Sequence, residues 1–109
     1  MLSVVPDKYG VVRVYKGDSV QLPCRVRPTA ATNITWLQTA KSSDGELLYN
    51  IYINDRMHEG LRRRFSIHDA AAGDYSLTML NVHSSDGGRY QCFDQQHQLQ
   101  NYVIYVTGW

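Results

Sequence analysis

Two cysteines, Cys24 and Cys92, stand far apart in a chain of 109 residues. Each lies in a stretch whose side chains alternate between apolar and polar. Val20, Leu22, Cys24 and Val26 share one parity; Ser19, Gln21, Pro23 and Arg25 take the other. Successive side chains of an extended strand point to opposite faces, so this reads as a half-buried strand with Cys24 turned inward. Arg89-Tyr90-Gln91-Cys92 alternates in the same way and puts Tyr90 on the side of Cys92. At this level two readings stand open, separate buried thiols or a pair. Pairing would close a long loop and contribute roughly 4 kcal/mol in the chain-entropy account. It would also imply an oxidising, secreted or cell-surface setting. Neither cysteine belongs to a Cys-x-x-Cys, so no zinc knuckle or thioredoxin-type site is written here.

The rest of the chain is punctuated at short intervals, with no long helical period. Val12 and Val14 alternate with their neighbours before the turn Lys16-Gly17-Asp18, and residues 27–33 read as a loop. Ile34, Trp36 and Gln38 then lie on one side of a strand, with Leu37 and Thr39 on the other. Asp44-Gly45 signals a hairpin into the β-rich run 46–53. Residues 54–60 read as a polar connection, and two more strands follow over 63–69 and 74–82. His83 to Gly88 is a turn, 89–95 a strand, 96–101 a Gln-rich loop, and 102–107 a last strand. About eight or nine short strands at regular spacing predict an all-β sandwich or barrel, and the length predicts a single domain over 1–109.

A buried Tyr90 requires a partner for its hydroxyl, and the turn around Asp86 offers backbone groups. Asp86 is also expected to pair with Arg64, at the start of the Arg-Phe-Ser-Ile strand. At this point a resemblance emerges. Gly17-Asp18-Ser19-Val20-x-Leu22-x-Cys24, Trp36, Arg64-Phe65-Ser66-Ile67, Tyr75-Ser76-Leu77-x-Met79 and Asp86-x-Gly88-x-Tyr90-x-Cys92 occur in this order. Together they resemble an immunoglobulin variable-type (V-set) domain, and the likeness covers nearly the whole chain. It implies two antiparallel sheets, GFCC′C″ and ABED, tied by one Cys24–Cys92 disulfide. Trp36, Tyr90, Leu22 and Leu77 then belong to the core, with a tyrosine corner at Tyr90. The stretch between Trp36 and Tyr75 leaves room for the C′ and C″ strands.

Two departures narrow the resemblance. Thr39, not Gln, stands three residues after the Trp, and the last strand lacks Phe-Gly-x-Gly. Both set the chain apart from rearranging antigen receptors. It is more similar to non-rearranging immune-receptor, B7/butyrophilin-like and junctional-adhesion-like V domains. That resemblance implies an extracellular recognition or adhesion domain, the N-terminal ectodomain of a longer protein, pairing with another V-set domain or with a second copy. Strand parity gives the expected partner-binding set: Leu37, Thr39, Gln91, Phe93 and Gln95, with Leu47, Tyr49 and Ile51 on the C′ strand unless a bulge reverses them; Leu99, the one apolar residue of the last loop, joins it at the tip. Tip loops with Arg62, Arg63 and Arg64 would serve a carbohydrate or small-ligand module instead, and a spacer domain would need no face at all.

Other chemistry is poorly represented. Net charge is +1, giving no reason to expect nucleic acid as partner. No apolar run approaches membrane-spanning length, so an anchor would lie outside this chain. The four histidines lack metal-ligand spacing, and neither a metal nor a cofactor is expected. His83-Ser84-Ser85-Asp86 falls in one turn, where a converging triad cannot form, so the chain is not expected to be an enzyme. Asn33-Ile34-Thr35 is an N-glycosylation sequon just ahead of Trp36.

Overall fold

The computed structural model describes residues 3–27, 33–95 and 97–108. Strands β1 (Val11–Tyr15), β2 (Val20–Leu22), β3 (Thr35–Ser42), β4 (Gly45–Ile53), β5 (Arg56–Met57), β6 (Phe65–Asp69), β7 (Asp74–Met79), β8 (Gly88–Phe93) and β9 (Gln98–Thr107) form two sheets. The larger has the order β1-β9-β8-β3-β4-β5 and the smaller β2-β7-β6. Their inner faces enclose Val12, Val14, Leu22, Trp36, Leu77, Tyr90, Tyr102 and Ile104, all buried. Cys24 and Cys92 are joined across that core as a disulfide with a Cα–Cα distance of 6.6 Å. Trp36 pairs in register with Cys92, donates its indole N–H to the Tyr75 carbonyl at 2.8 Å, and stacks near Tyr102.

The first strand departs from the expected ABED arrangement. Val4 makes only an isolated bridge to Val20, and β1 then joins the opposite sheet, running parallel to β9. Local chemistry favours the crossing. Pro6 cannot donate to a ladder. The Asp7 carboxylate accepts from the Tyr9 and Val11 amides, and Gly10 takes a positive φ of 78°. The strand expected over 19–26 is likewise shorter, because Pro23 interrupts it; pairing resumes at Arg25 opposite Asp74.

Three further differences come from turns and bulges. β5 lies inside the segment read as a polar connection. Asn54 and Asp55 both have positive φ, 52° and 61°, which makes the two-residue link a tight hairpin turn between Ile53 and Arg56. β9 begins at Gln98, so Gln98, Gln100 and Asn101 pair with β8 and are not loop. The hairpin from β3 to β4 is longer than expected, with Ser42 opposite Gly45.

The corner before β8 is held by three groups. The Tyr90 hydroxyl donates to the Asp86 carbonyl at 2.5 Å. Asp86 accepts from the His83 amide at 2.7 Å and from both Arg64 guanidinium nitrogens, at 2.7 and 3.1 Å. Gly88 approaches β3 so closely that a Cβ would stand 2.8 Å from the Thr39 carbonyl oxygen, at a φ of 134° that side chains disfavour. The Asp-x-Gly-x-Tyr-x-Cys spacing thus has a cause at each position.

Tyr90→Phe leaves the Asp86 carbonyl without its donor, and we expect it to cost about 1–2 kcal/mol. Burial pushes the Tyr90 phenol well above its ordinary range. The unfolded chain ionises near pH 10 while the folded one holds its proton, so stability falls as pH rises beyond about 10. Urea titrations at neutral and strongly alkaline pH should show that fall, and a shallower one in Tyr90→Phe.

Candidate interaction face

Trp36, Tyr90, Cys92, Tyr102 and Ile104 mark the inner side of the larger sheet, so the residues alternating with them define its outer side. One rung of that outer face runs Leu48, Thr39, Arg89, Val103. The next runs Asn50, Leu37, Gln91, Asn101. Beyond it lie Thr35, Phe93 and Gln98. On β9, beside the edge strand β1, Tyr105 is exposed, with the Arg13 guanidinium 5.1 Å from its ring centroid.

Four polar side chains of this face are bonded in two pairs. Gln91 donates to Gln98 across β8 and β9, and Arg89 donates to Asn101 at 3.3 Å. Between them Leu37, Phe93 and Val103 are half-buried, and Leu48 is 63% exposed. Where these two pairs stand the surface loses less on shedding water, and its apolar groups gain from cover.

Strand parity misplaced part of the C′ set. Trp36 pairs with Tyr52 but Leu37 with Asn50, which leaves Ile51 as an extra residue in a bulge. Beyond the bulge Tyr49 lies beside Gln38 and Leu47 beside Ala40, on the inner parity of the sheet. Ile51 is buried in the core. Leu47 and Tyr49 remain exposed, at 45% and 49%, although they sit on the inner side. The smaller sheet has only three strands and pairs nothing with β4. They line an open groove of about 570 Å³ whose other walls include Leu61, His58 and the Arg64–Asp86 pair. Beyond the bulge the outward residues of β4 are Asn50, Leu48 and Glu46.

Leu99 also moves. It falls at a second irregularity, between the Cys92–Gln100 and Phe93–Gln98 pairs, and packs partly against the core. Gln95 is exposed beyond the end of β8. Leu37, Thr39, Gln91 and Phe93 do share the outer face. Leu48, Val103 and Tyr105 complete it, and simple alternation beyond Trp36 and Tyr102 points to Val103 and Tyr105 without help from the bulge.

In the turn from His83 to Asp86 the carboxylate makes structural contacts. The Asp86 carboxylate is committed to Arg64 and the His83 amide, and it holds the Arg64 guanidinium above its ordinary range, against the opposing effect of burial.

A family model described as the immunoglobulin V-set domain matches residues 8–104. The chain belongs to the immunoglobulin V-set family. The V-set domain is 29% identical over 108 residues to the lymphocyte antigen 6 complex locus protein G6f of Rattus norvegicus, covering 91% of this chain and 36% of that protein. It is 29% identical over 99 residues to the myelin-oligodendrocyte glycoprotein of Macaca fascicularis, covering 82% of this chain and 38% of that one. It therefore spans little more than a third of the length of these curated relatives. Among solved structures, the first immunoglobulin domain of Dpr1 bound to that of DIP-eta aligns with a TM-score of 0.70 at 18% identity, over 90% of this chain and 89% of that one. The ZIG-8–RIG-5 IG1–IG1 heterodimer aligns with a TM-score of 0.66 at 18% identity, over 98% and 84%. At such identities these two likenesses concern the fold.

Proposed function

We propose that this V-set domain is an extracellular recognition or adhesion module. It binds protein through the outer face of its larger sheet, and its partner is another V-set domain or a second copy of itself. The observation that carries this reading is the make-up of that face. Leu48, Leu37, Phe93, Val103 and Tyr105 are interleaved with polar residues, four of which are bonded in two pairs. A sheet face with apolar anchors and a satisfied polar surround is what a protein interface requires. The disulfide supports an oxidising, extracellular location. Both structural neighbours described above were solved as pairs of immunoglobulin domains, which supports a partner of the same kind. The alternative arginine site loses one of its three members, since Arg64 is held by Asp86.

A self-complementary face gives a two-fold dimer. Light scattering at several concentrations should report a dimer for the oxidised domain. Leu48→Arg should weaken it by a factor of about 30, the equivalent of roughly 2 kcal/mol at a hot spot. Leu48 is largely exposed, so its replacement should leave folding intact. A wild-type monomer at every concentration would remove the homodimer, and the same variant would then be tested against other immunoglobulin domains. Dimerisation unchanged by both Leu48→Arg and Phe93→Arg would overturn the face.

A further inference from the structure

We propose that Asn33 carries an N-linked glycan rooted on the outer side of the larger sheet, at the end nearest Phe93. Asn33-Ile34-Thr35 is the one Asn-x-Ser/Thr sequence in the 109 residues. The structure makes its acceptor available. Asn33 is exposed and precedes the first residue of β3, while its neighbour Ile34 is turned into the core at 1% exposure. Continued back from Thr35, the first residue of β3, through the buried Ile34, strand alternation sets Asn33 on the side of Thr35 and Leu37. The disulfide points to the compartment in which such sugars are attached.

The transfer needs a lipid-diphosphate oligosaccharide as donor, with the host glycosyltransferase to catalyse it. The Asn33 amide nitrogen forms a bond to the anomeric carbon of the first sugar, and the bond from that carbon to the diphosphate oxygen breaks. The amide nitrogen gives up one proton, and the lipid diphosphate departs with the electron pair.

Position gives the glycan a consequence. Thr35 pairs with Phe93, and Asn33 lies two residues further along. At a rise of about 3.4 Å per residue the attachment point stands about 7 Å from that rung. A branched sugar spans this distance and overhangs Phe93 and Gln95. The Leu48–Thr39–Arg89–Val103 rung lies four residues from Thr35 along β3 and stays open. The glycan would thus crowd a partner at the Phe93 end of the proposed face and leave the Leu48 end open.

The test uses the whole chain secreted from a eukaryotic cell, with intact mass as the readout, so it needs no partner. The disulfide-bonded wild type should be heavier by one glycan, removable by a peptide-N-glycosidase. Thr35→Ser should keep the added mass, while Asn33→Gln and Thr35→Ala should lose it. Protein retained in the cell is measured the same way in its disulfide-bonded fraction. A bare mass for folded, disulfide-bonded wild type overturns the proposal. Hydroxyl-radical labelling tests the placement. Phe93 should label severalfold faster in Asn33→Gln than in the glycosylated protein, with Leu48 unchanged. Equal labelling of Phe93 in the two would overturn the overhang even where the sugar is present.

Discussion

Replacing both cysteines, Cys24→Ala with Cys92→Ala, should lower the unfolding free energy of the domain by about 4 kcal/mol. The bond spans a sequence separation of 68, so its loss frees a long stretch of the unfolded chain. Both cysteines are fully buried among the largest core side chains, and truncation to Ala adds a small packing loss on top. A domain of this size is stable by only about 5–15 kcal/mol, so a large part of the margin is involved. Urea titration checks it. The midpoint should fall and the slope should rise, because the uncrosslinked chain exposes more surface when it unfolds. A variant within about 1 kcal/mol of wild type would mean that the packed sheets hold without the link, contrary to the entropy account.

The second large effect belongs to Arg64. Arg64→Ala should destabilise by about 3 kcal/mol, at the low end of what breaking a buried ion pair costs. The pair is bidentate, with side-chain exposures of 22% for Arg64 and 7% for Asp86. The residual exposure of Arg64 and the remaining His83 amide bond are the reasons for the low end. The same guanidinium also donates to the Leu80 and Asn81 carbonyls and lies over the Phe65 ring. Arg64→Lys should recover little, since one ammonium cannot match two parallel bonds. A double-mutant cycle with Asp86→Ala, read by thermal unfolding, should give a coupling of about 1.5–3 kcal/mol. Additive losses would show that the two side chains stabilise the corner independently.

Much of the framework was legible because it rests on side-chain identity. Cys24, Trp36, Tyr90 and Cys92 are each required by a contact in the core, and Arg64 and Asp86 by charge pairing. The outer face of the larger sheet was only half legible. Leu37, Thr39, Gln91 and Phe93 follow from alternation on strands that run regularly through the relevant residues. Leu47 and Tyr49 do not, because the bulge at Ile51 shifts parity, and Asn50-Ile51-Tyr52 contains no glycine or proline to announce it. Leu99 was misjudged for the same kind of reason. The assignment of β1 to the larger sheet depends on which edge captures the chain after Pro6, and alternation is the same on either sheet. The Asn54-Asp55 turn carried a usable signal, since these two residue types tolerate positive φ better than most.

The parallel pairing of β1 with β9 has a mechanical meaning. Tension applied through the two chain ends pulls β1 and β9 in opposite directions along their common axis. The rungs from Val11–Val103 to Tyr15–Thr107 are therefore loaded together in shear and do not open one at a time like a zipper. Should they yield, the cross-link between Cys24 and Cys92 takes the load directly. Only the segments outside it can extend, so the sheet surface formed by β3, β4 and β8 is kept out of the line of force.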